Sequence, residues 1–238
     1  MKFPFSISVV MPAFNEAENL PDAIQKCVEA LSTLTNQYEV IVIDDYSTDK
    51  TPEVLVNLKK IYPYLKTIRN KKNLGCHPST LVGFKAATGK VLVFLPADQQ
   101  IPPSNILQFL SKIDNYDLVC SYRRHRVDTL PRHLASRLYN TILRLCFGVS
   151  LHDTHSAIAV KKEVIQAIVN DVQSPSAFAG CELILRTLMR RFRVTEIEID
   201  HSPRIAGKAK GANLRDAVLT PVNLLQLLWE LRRGIVKT

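Results

Sequence analysis

The sequence predicts an α/β protein with a mostly parallel central sheet flanked by helices on both faces. Two observations lead there. Short apolar, β-branched runs recur along the first half of the chain, as buried parallel strands require. Between them lie stretches with helical periodicity and helix-start residues, so strand and helix alternate, which is the pattern of a doubly wound fold.

The strands expected are Ser6–Met11, Tyr38–Ile43, Val91–Leu95 and Leu118–Ser121. The first helix, Asn19–Leu34, follows the acids Glu16 and Glu18. Thr51–Ile61 reads as the second, with Thr51 as N-cap and Pro52 at the first helical position. Ser79–Ala87 stops before Gly89, and Pro103–Ile113 again begins with proline. The second half is less regular. Leu134–Phe147 and Cys181–Arg191 read as helices, Val194–Ile199 as a strand, and 201–211 as a mobile loop with two glycines. Leu214–Leu231 is apolar and helical in pattern, interrupted by Pro221.

The polar residues fall where such a fold puts its ligand, beyond the carboxyl ends of the strands. PAFNEAENL (12–20), DDYSTDKT (44–51) and PADQQIPP (96–103) each follow a strand and each carry acids. Carboxylates there accept hydrogen bonds from ribose hydroxyls and base N–H groups, or hold a divalent cation. One such segment alone would be read as a helix cap or an Asx-turn. Three in register point to a nucleotide diphosphate. The first strand is followed by Pro-Ala-Phe-Asn-Glu rather than a G-x-G-x-x-G run, which argues against a dinucleotide fold.

In these segments the chain resembles the family-2 glycosyltransferases, and within them the dolichol-phosphate mannosyltransferase-like branch. The resemblance is carried by VVMPAFNEAENL, VIVIDDYSTDKT, NLGCHPSTLVGFKAATGKVLVFLPADQQIPP, YRRHRVD and HSPRIAGKAKG. It implies a GT-A type fold, a UDP- or GDP-sugar donor, Mg²⁺ or Mn²⁺ as cofactor, and hexosyl transfer to a polyprenyl phosphate. It implies that Pro12, Phe14, Glu16, Asp44 and Asp45 line the base and ribose pocket. Ala97 and Asp98 would lie at the diphosphate, with Arg204 and Lys210 closing over it. Where the family usually has Asp-x-Asp, this chain has Pro96-Ala97-Asp98. Pro96 coordinates nothing, so the metal is left to Asp98, with Gln100 where relatives often carry a metal-facing Gln. One or two protein ligands suffice for Mg²⁺ when phosphates and water complete the shell. The alternatives are a non-catalytic or metal-independent nucleotide-sugar-binding protein, or a transferase to a hydroxyl acceptor of a cell-surface glycan.

Charge separates the two halves. Residues 1–118 hold 12 Lys/Arg against 12 Asp/Glu, while residues 119–238 hold 19 against 10, so the net +9 lies in the second half. An anionic partner is expected there, with a solvated basic face as the alternative. Arg123, Arg124 and Arg126 suit bidentate phosphate recognition, and the resemblance assigns Arg123 and Arg126 to the acceptor's phosphate. Asp153 and Glu182 are the remaining acids near the expected site; each is read either as a general base or as a residue that orients an arginine or caps a helix. A phosphate monoester is largely dianionic at neutral pH and needs no base to attack. Arginines without an obvious base therefore favour a phosphate acceptor and a single displacement that inverts the anomeric carbon, with Asp98, Asp153 and Arg123 as the candidate catalytic groups.

The domain reading is one GT-A unit over 1–211, with a nucleotide-sugar half (1–118) and an acceptor half (119–211), followed by an amphipathic helical segment over 212–238. In that segment Trp229 and several leucines precede Arg232, Arg233 and Lys237, a composition suited to an interfacial helix on an anionic membrane. The alternative is a helix packed on the domain or in a homodimer interface. The N-terminus reads as a first strand, not a signal peptide, and no run approaches the roughly 18 apolar residues of a membrane span. The five cysteines form no C-x-x-C pair, which argues against a zinc site or a disulfide framework and fits a reducing compartment; the location expected is cytoplasmic, peripheral to the inner face of a membrane. Aromatic residues do not interleave with the basic ones, so nucleic acid is not an expected partner.

Overall fold

The computed structural model describes residues 2–123, 141, 143–145, 151–153, 156–199 and 222–230. Four parallel strands form one side of the sheet: β1 (Ile7–Ala13), β2 (Tyr38–Asp44), β3 (Leu65–Arg69) and β4 (Val91–Phe94). β5 (Leu118–Arg123), β6 (Ile158–Lys161) and β7 (Val194–Ile199) complete it in the order β3-β2-β1-β4-β6-β5-β7. β6 runs antiparallel to both β4 and β5, while β5 and β7 pair in parallel. The sheet is therefore mostly parallel, as expected, with a reversed strand at its centre.

Successive residues of β1 point to opposite faces, and each face has its own core. Val9 and Met11 pack with α1 (Leu20–Leu34), α2 (Thr51–Ile61) and α4 (Ile106–Ile113). Val10 packs with α3 (Cys76–Ala86), α5 (Lys162–Ile168) and α6 (Phe178–Met189). Gly83 makes the second packing feasible, because a Cβ there would collide with Val10. Each fully buried Ile, Leu or Phe in these layers contributes about 1.5–3 kcal/mol.

Three of the described elements escaped the sequence pattern: β3, β6 and the seven-residue α5. β3 is an edge strand whose Lys66 and Arg69 face solvent, so it lacks a continuous apolar run. β6 has only four residues and ends in lysine. Thr51 is a correction of another kind: it lies inside α2, whose N-cap is Lys50, and its hydroxyl accepts from Glu16 N–H at 2.9 Å. Of the expected helix Leu134–Phe147, Thr141 and residues 143–145 are helical and the rest lies outside the described residues.

Of the expected helix Leu214–Leu231, the described part, 222–230, is helical. Leu224 and Leu227 join Phe178, Cys181 and Leu185 in a third core cluster. Asn223 Nδ2 donates to Ser174 and Ser176 Oγ at 2.9 Å each, and Arg186 bridges Glu182 (2.7 Å) and Glu230 (3.1 Å). Val222, Leu225 and Trp229, spaced on one helical face, are 53%, 66% and 50% exposed. No helix among the described residues is long and apolar enough to cross a membrane.

Buried acids tie the amino ends of the strands, opposite the ligand edge. Glu39 accepts from Ser8 Oγ (2.5 Å), Thr88 N (2.6 Å) and Lys66 Nζ (2.5 Å). Asp117 accepts from Arg193 and Lys161, joining the ends of β5, β6 and β7. Burial pushes the Glu39 carboxyl up, but Lys66, Ser8 and Thr88 outweigh it and hold the group at about 2. A depressed carboxyl stabilises the fold above its unfolded pKa, and that stability is lost as pH falls toward the folded value. Denaturation midpoints should therefore drop between pH 4.5 and about 2, and Glu39→Gln should flatten that slope. With Lys66 half in solvent, the Glu39 share is about 2 kcal/mol. An unchanged slope in the variant would assign the acid sensitivity elsewhere.

Candidate active site: the crevice at the carboxyl ends of β1, β2 and β4

The strand order reverses between β1 and β4, and the loops after β1, β2 and β4 meet at that switch point. Each loop contains a residue other than glycine with left-handed backbone: Asn15 (φ 53°), Tyr46 (φ 65°) and Gln99 (φ 59°). Such residues cost about 1–3 kcal/mol each and persist only where their surroundings fix them.

The first two loops hold each other. Asn15 Oδ1 accepts from the backbone N–H of Thr48 (2.8 Å) and Asp49 (3.3 Å), while Asn15 N–H donates to Ser47 Oγ (2.9 Å). Glu16 is buried; its carboxylate accepts from Asn19 Nδ2 at 2.5 Å. Asp44 accepts from Ser47 N–H (2.9 Å) and pairs with Arg69 (2.8 Å), whose guanidinium lies 5.6 Å from the centre of the exposed Tyr46 ring. Asp45, 3% exposed, accepts from Asn70 Nδ2, Leu74 N–H and Gly75 N–H, each at 2.8 Å. Its charge thus folds the 70–75 loop onto the start of α3.

The third loop carries Asp98. Ala97 is buried, whereas Pro96, Asp98 and Gln100 are half-buried at the crevice. Asp98 Oδ1 accepts from the Gln100 backbone N–H at 3.2 Å. Cys76, the first residue of α3, is exposed. Loss of surrounding water, then the charges of Asp98 and Asp45, push its thiol up to about 12. That coupling brings Asp45, Cys76 and Asp98 into one electrostatic neighbourhood. Among the described residues no group of three His, Cys, Asp or Glu side chains could hold a metal. A hard cation that retains phosphate and water ligands fits one carboxylate at this position; an all-protein cage does not.

Of the residues expected at the donor, Pro12 is the second-last residue of β1, and Phe14, Glu16, Asp44, Asp45, Ala97 and Asp98 all lie at this edge. Arg204 and Lys210 lie outside the described residues, as does Arg126. Arg123 ends β5, which is parallel to β4, so it stands at the same edge. β6 starts there too, and buried Asp153 and Ser156 precede it; Ser156 Oγ lies 2.8 Å from Ser121 Oγ. Glu182 takes the structural role: it pairs with Arg186 and accepts from Gln173 and Ser174 N–H. Sequence reasoning missed Asn15, Ser47, Arg69 and Gln99. Their only signal was polarity or charge near strand ends; the long-range contacts that tie them to other loops span 22 to 80 residues.

A doubly wound sheet with acid-bearing loops at its switch point is the arrangement of the GT-A type fold. The model for glycosyl transferase family 2 matches residues 8–169, and the chain belongs to that family. Solved structures share the fold. One is glucosyl-3-phosphoglycerate synthase from Mycobacterium tuberculosis in complex with Mn²⁺, UDP and phosphoglyceric acid, at TM-score 0.71 and 16% identity over 97% of this chain and 79% of that one. The same enzyme with Mg²⁺ and UDP gives TM-score 0.68 and 17% identity over 92% and 79%.

Removing the Asp45 carboxylate leaves the Leu74 and Gly75 N–H groups without their acceptor. Asp45→Ala should cost about 3 kcal/mol in chemical denaturation. It should also abolish nucleotide binding by calorimetry. Wild-type stability would show that the 70–75 loop is held by other contacts.

Proposed function

We propose that this chain is an inverting glycosyltransferase that moves a hexose from a UDP- or GDP-sugar to the phosphate of a polyprenyl phosphate. The observation that carries the donor half is the meeting of the β1, β2 and β4 loops, tied through Asn15 and Asn19, at the edge that bears Asp44, Asp45 and Asp98. The family membership and the UDP complexes of the structural neighbours support the same reading. Asp98, helped by the Gln100 position, would hold Mg²⁺ or Mn²⁺ together with donor phosphates. When bound, the cation neutralises the charge that develops on the departing nucleoside diphosphate.

The chemistry asked of the chain itself is modest. The loops hold the nucleoside, and the Arg204 and Lys210 positions supply cationic cover to the diphosphate. Arg123 and Arg126 orient the acceptor phosphate, whose oxygen attacks the anomeric carbon as the carbon–diphosphate bond breaks on the opposite side. A dianionic phosphate needs no proton removed, so Asp153 serves to orient cations rather than as a base. The units proposed above, 1–118 for donor and 119–211 for acceptor, follow this division of labour.

A second reading takes its support from the neighbours, one of which was solved with UDP, Mn²⁺ and glucosyl-3-phosphoglycerate. There the acceptor is a small phosphorylated acid. Attack by a hydroxyl would require a base, and Asp153 is the candidate at the β5–β6 edge.

The deciding experiment is transfer of labelled sugar from UDP- and GDP-sugars, with and without Mn²⁺, to polyprenyl phosphate or to 3-phosphoglycerate. Transfer to phosphoglycerate alone, lost in Asp153→Asn, would establish the second reading. Donor binding without turnover on either acceptor would point to a non-catalytic binding protein. Asp98→Ala should lower transfer about 100-fold or more. Pro96→Asp should tighten Mn²⁺ binding about tenfold. Arg123→Ala and Arg126→Ala should raise the acceptor KM while donor affinity stays within about twofold.

The exposed face of the 222–230 helix supports a membrane-peripheral location on the inner leaflet. Val222, Leu225 and Trp229 would enter the acyl boundary while Arg232, Arg233 and Lys237 meet anionic headgroups, each worth about 1 kcal/mol. Because Leu224 and Leu227 anchor the helix to α6, point variants test this better than truncation. Leu225→Asp with Trp229→Ala should reduce sedimentation with phosphatidylserine vesicles while leaving the melting temperature within about 2 °C. Undiminished vesicle binding, or a monomer–dimer shift instead, would assign that face to a homodimer.

A further inference from the structure

The loop that bears Asp98 is held from outside the acid motif. Gln99 is 6% exposed and has a left-handed backbone (φ 59°), a conformation that a side chain other than Gly, Asn or Asp adopts only under constraint. The constraint comes from α1 and the turn before it. Lys26 Nζ donates to Gln99 Oε1 at 3.1 Å, and Gln99 Nε2 donates to the Asn19 backbone carbonyl at 3.3 Å. Lys26 is itself fixed by Asp22 at 2.6 Å, and Lys26, aided by Gln99, holds the Asp22 carboxyl below the usual range. Asn19 also donates from Nδ2 to Glu16, whose N–H is bound by Thr51.

A continuous set of contacts therefore runs from the β2 loop through Glu16 and Asn19 to Gln99, the residue next to Asp98. Gln99 is buried and bonded to Lys26 and Asn19, while Asp98 beside it is half-buried. With Pro96 in the place of a second acid, the orientation of one carboxylate decides whether a cation is held, so the clamp on its neighbour matters more here than in a site with two acids.

We infer that Gln99 is the positioning residue of the cation site: held by Lys26 and by the Asn19 carbonyl, it fixes the left-handed turn that presents Asp98 to the metal-bound diphosphate. The inference rests on the proposed donor site. Gln99 touches no reacting atom and acts through Asp98.

The test measures Mn²⁺ binding by electron paramagnetic resonance in the presence of UDP, and UDP binding by calorimetry in EDTA, with the full chain. Gln99→Ala loses both tethers and keeps a Cβ in the left-handed turn. It should weaken Mn²⁺ about tenfold or more, the range seen when an outer-shell partner of a metal ligand is lost. UDP binding in EDTA should stay within about twofold, because the nucleoside loops keep their own ties. Lys26→Met should give a smaller loss in the same direction. Gln99→Glu, which keeps an acceptor for Lys26, should recover more of the affinity than Gln99→Ala. Wild-type Mn²⁺ affinity in Gln99→Ala would overturn the inference. Equal losses in Mn²⁺ and metal-free UDP binding, with a lower melting temperature, would also overturn it by showing a merely structural role. Absence of both UDP and GDP binding in the wild type would remove the donor-site reading itself, and the inference with it.

Discussion

Asn15 turns left-handed directly after β1, and its side-chain oxygen is shared between the N–H groups of Thr48 and Asp49 in the loop after β2. That contact closes a ring of hydrogen bonds in which Ser47, Thr51 and Glu16 also take part. The rest of the crevice is built on it. α1 starts immediately beyond Glu16 and Asn19, so the ring sets where α1 begins and hence where Lys26 stands relative to the β4 loop. A parallel sheet places its strand ends side by side but does not join their loops; these side chains do the joining.

The acids at the crevice do different work according to burial. Asp45 is almost wholly buried and satisfied by two backbone N–H groups and an amide, the arrangement that makes a buried charge tolerable. It shapes the floor of the site. Asp98 is half-buried and nearest to solvent of the three acids, which leaves it suited to a cation. The Asp45 carboxylate thus has a structural task of its own at the edge where its motif also predicts a nucleotide. Glu182 shows the same division in the second half, where its charge organises Arg186 and, through it, Glu230.

The helix over 222–230 combines two surfaces. Leu224 and Leu227 complete the core against α6, and the polar contacts of Asn223 and Glu230 set its angle. Val222, Leu225 and Trp229 lie on another face, open to solvent. The interfacial and the domain-packed readings of this segment are thus not exclusive, since each takes a different stripe of the same helix.

Much was determined locally and could be read from the chain. The parallel strands β1, β2 and β4 are continuous apolar runs because both their faces are covered, and that composition is visible without any fold. The acids beyond them follow from the rule that such sheets bind ligands at their carboxyl ends. β3 and β6 were not legible, since an edge strand bearing Lys66 and Arg69, or four residues ending in Lys161, acquires its identity from the neighbour it pairs with. The same holds for Gln99. The family resemblance suggested a metal-facing glutamine at Gln100, but only the tertiary structure brings Lys26 and the Asn19 carbonyl to Gln99, through contacts spanning 73 and 80 residues. Periodicity and strand-end chemistry are local properties and survive in a sequence. Which side chain holds which loop depends on how α1 packs across the sheet, and only the folded chain decides it.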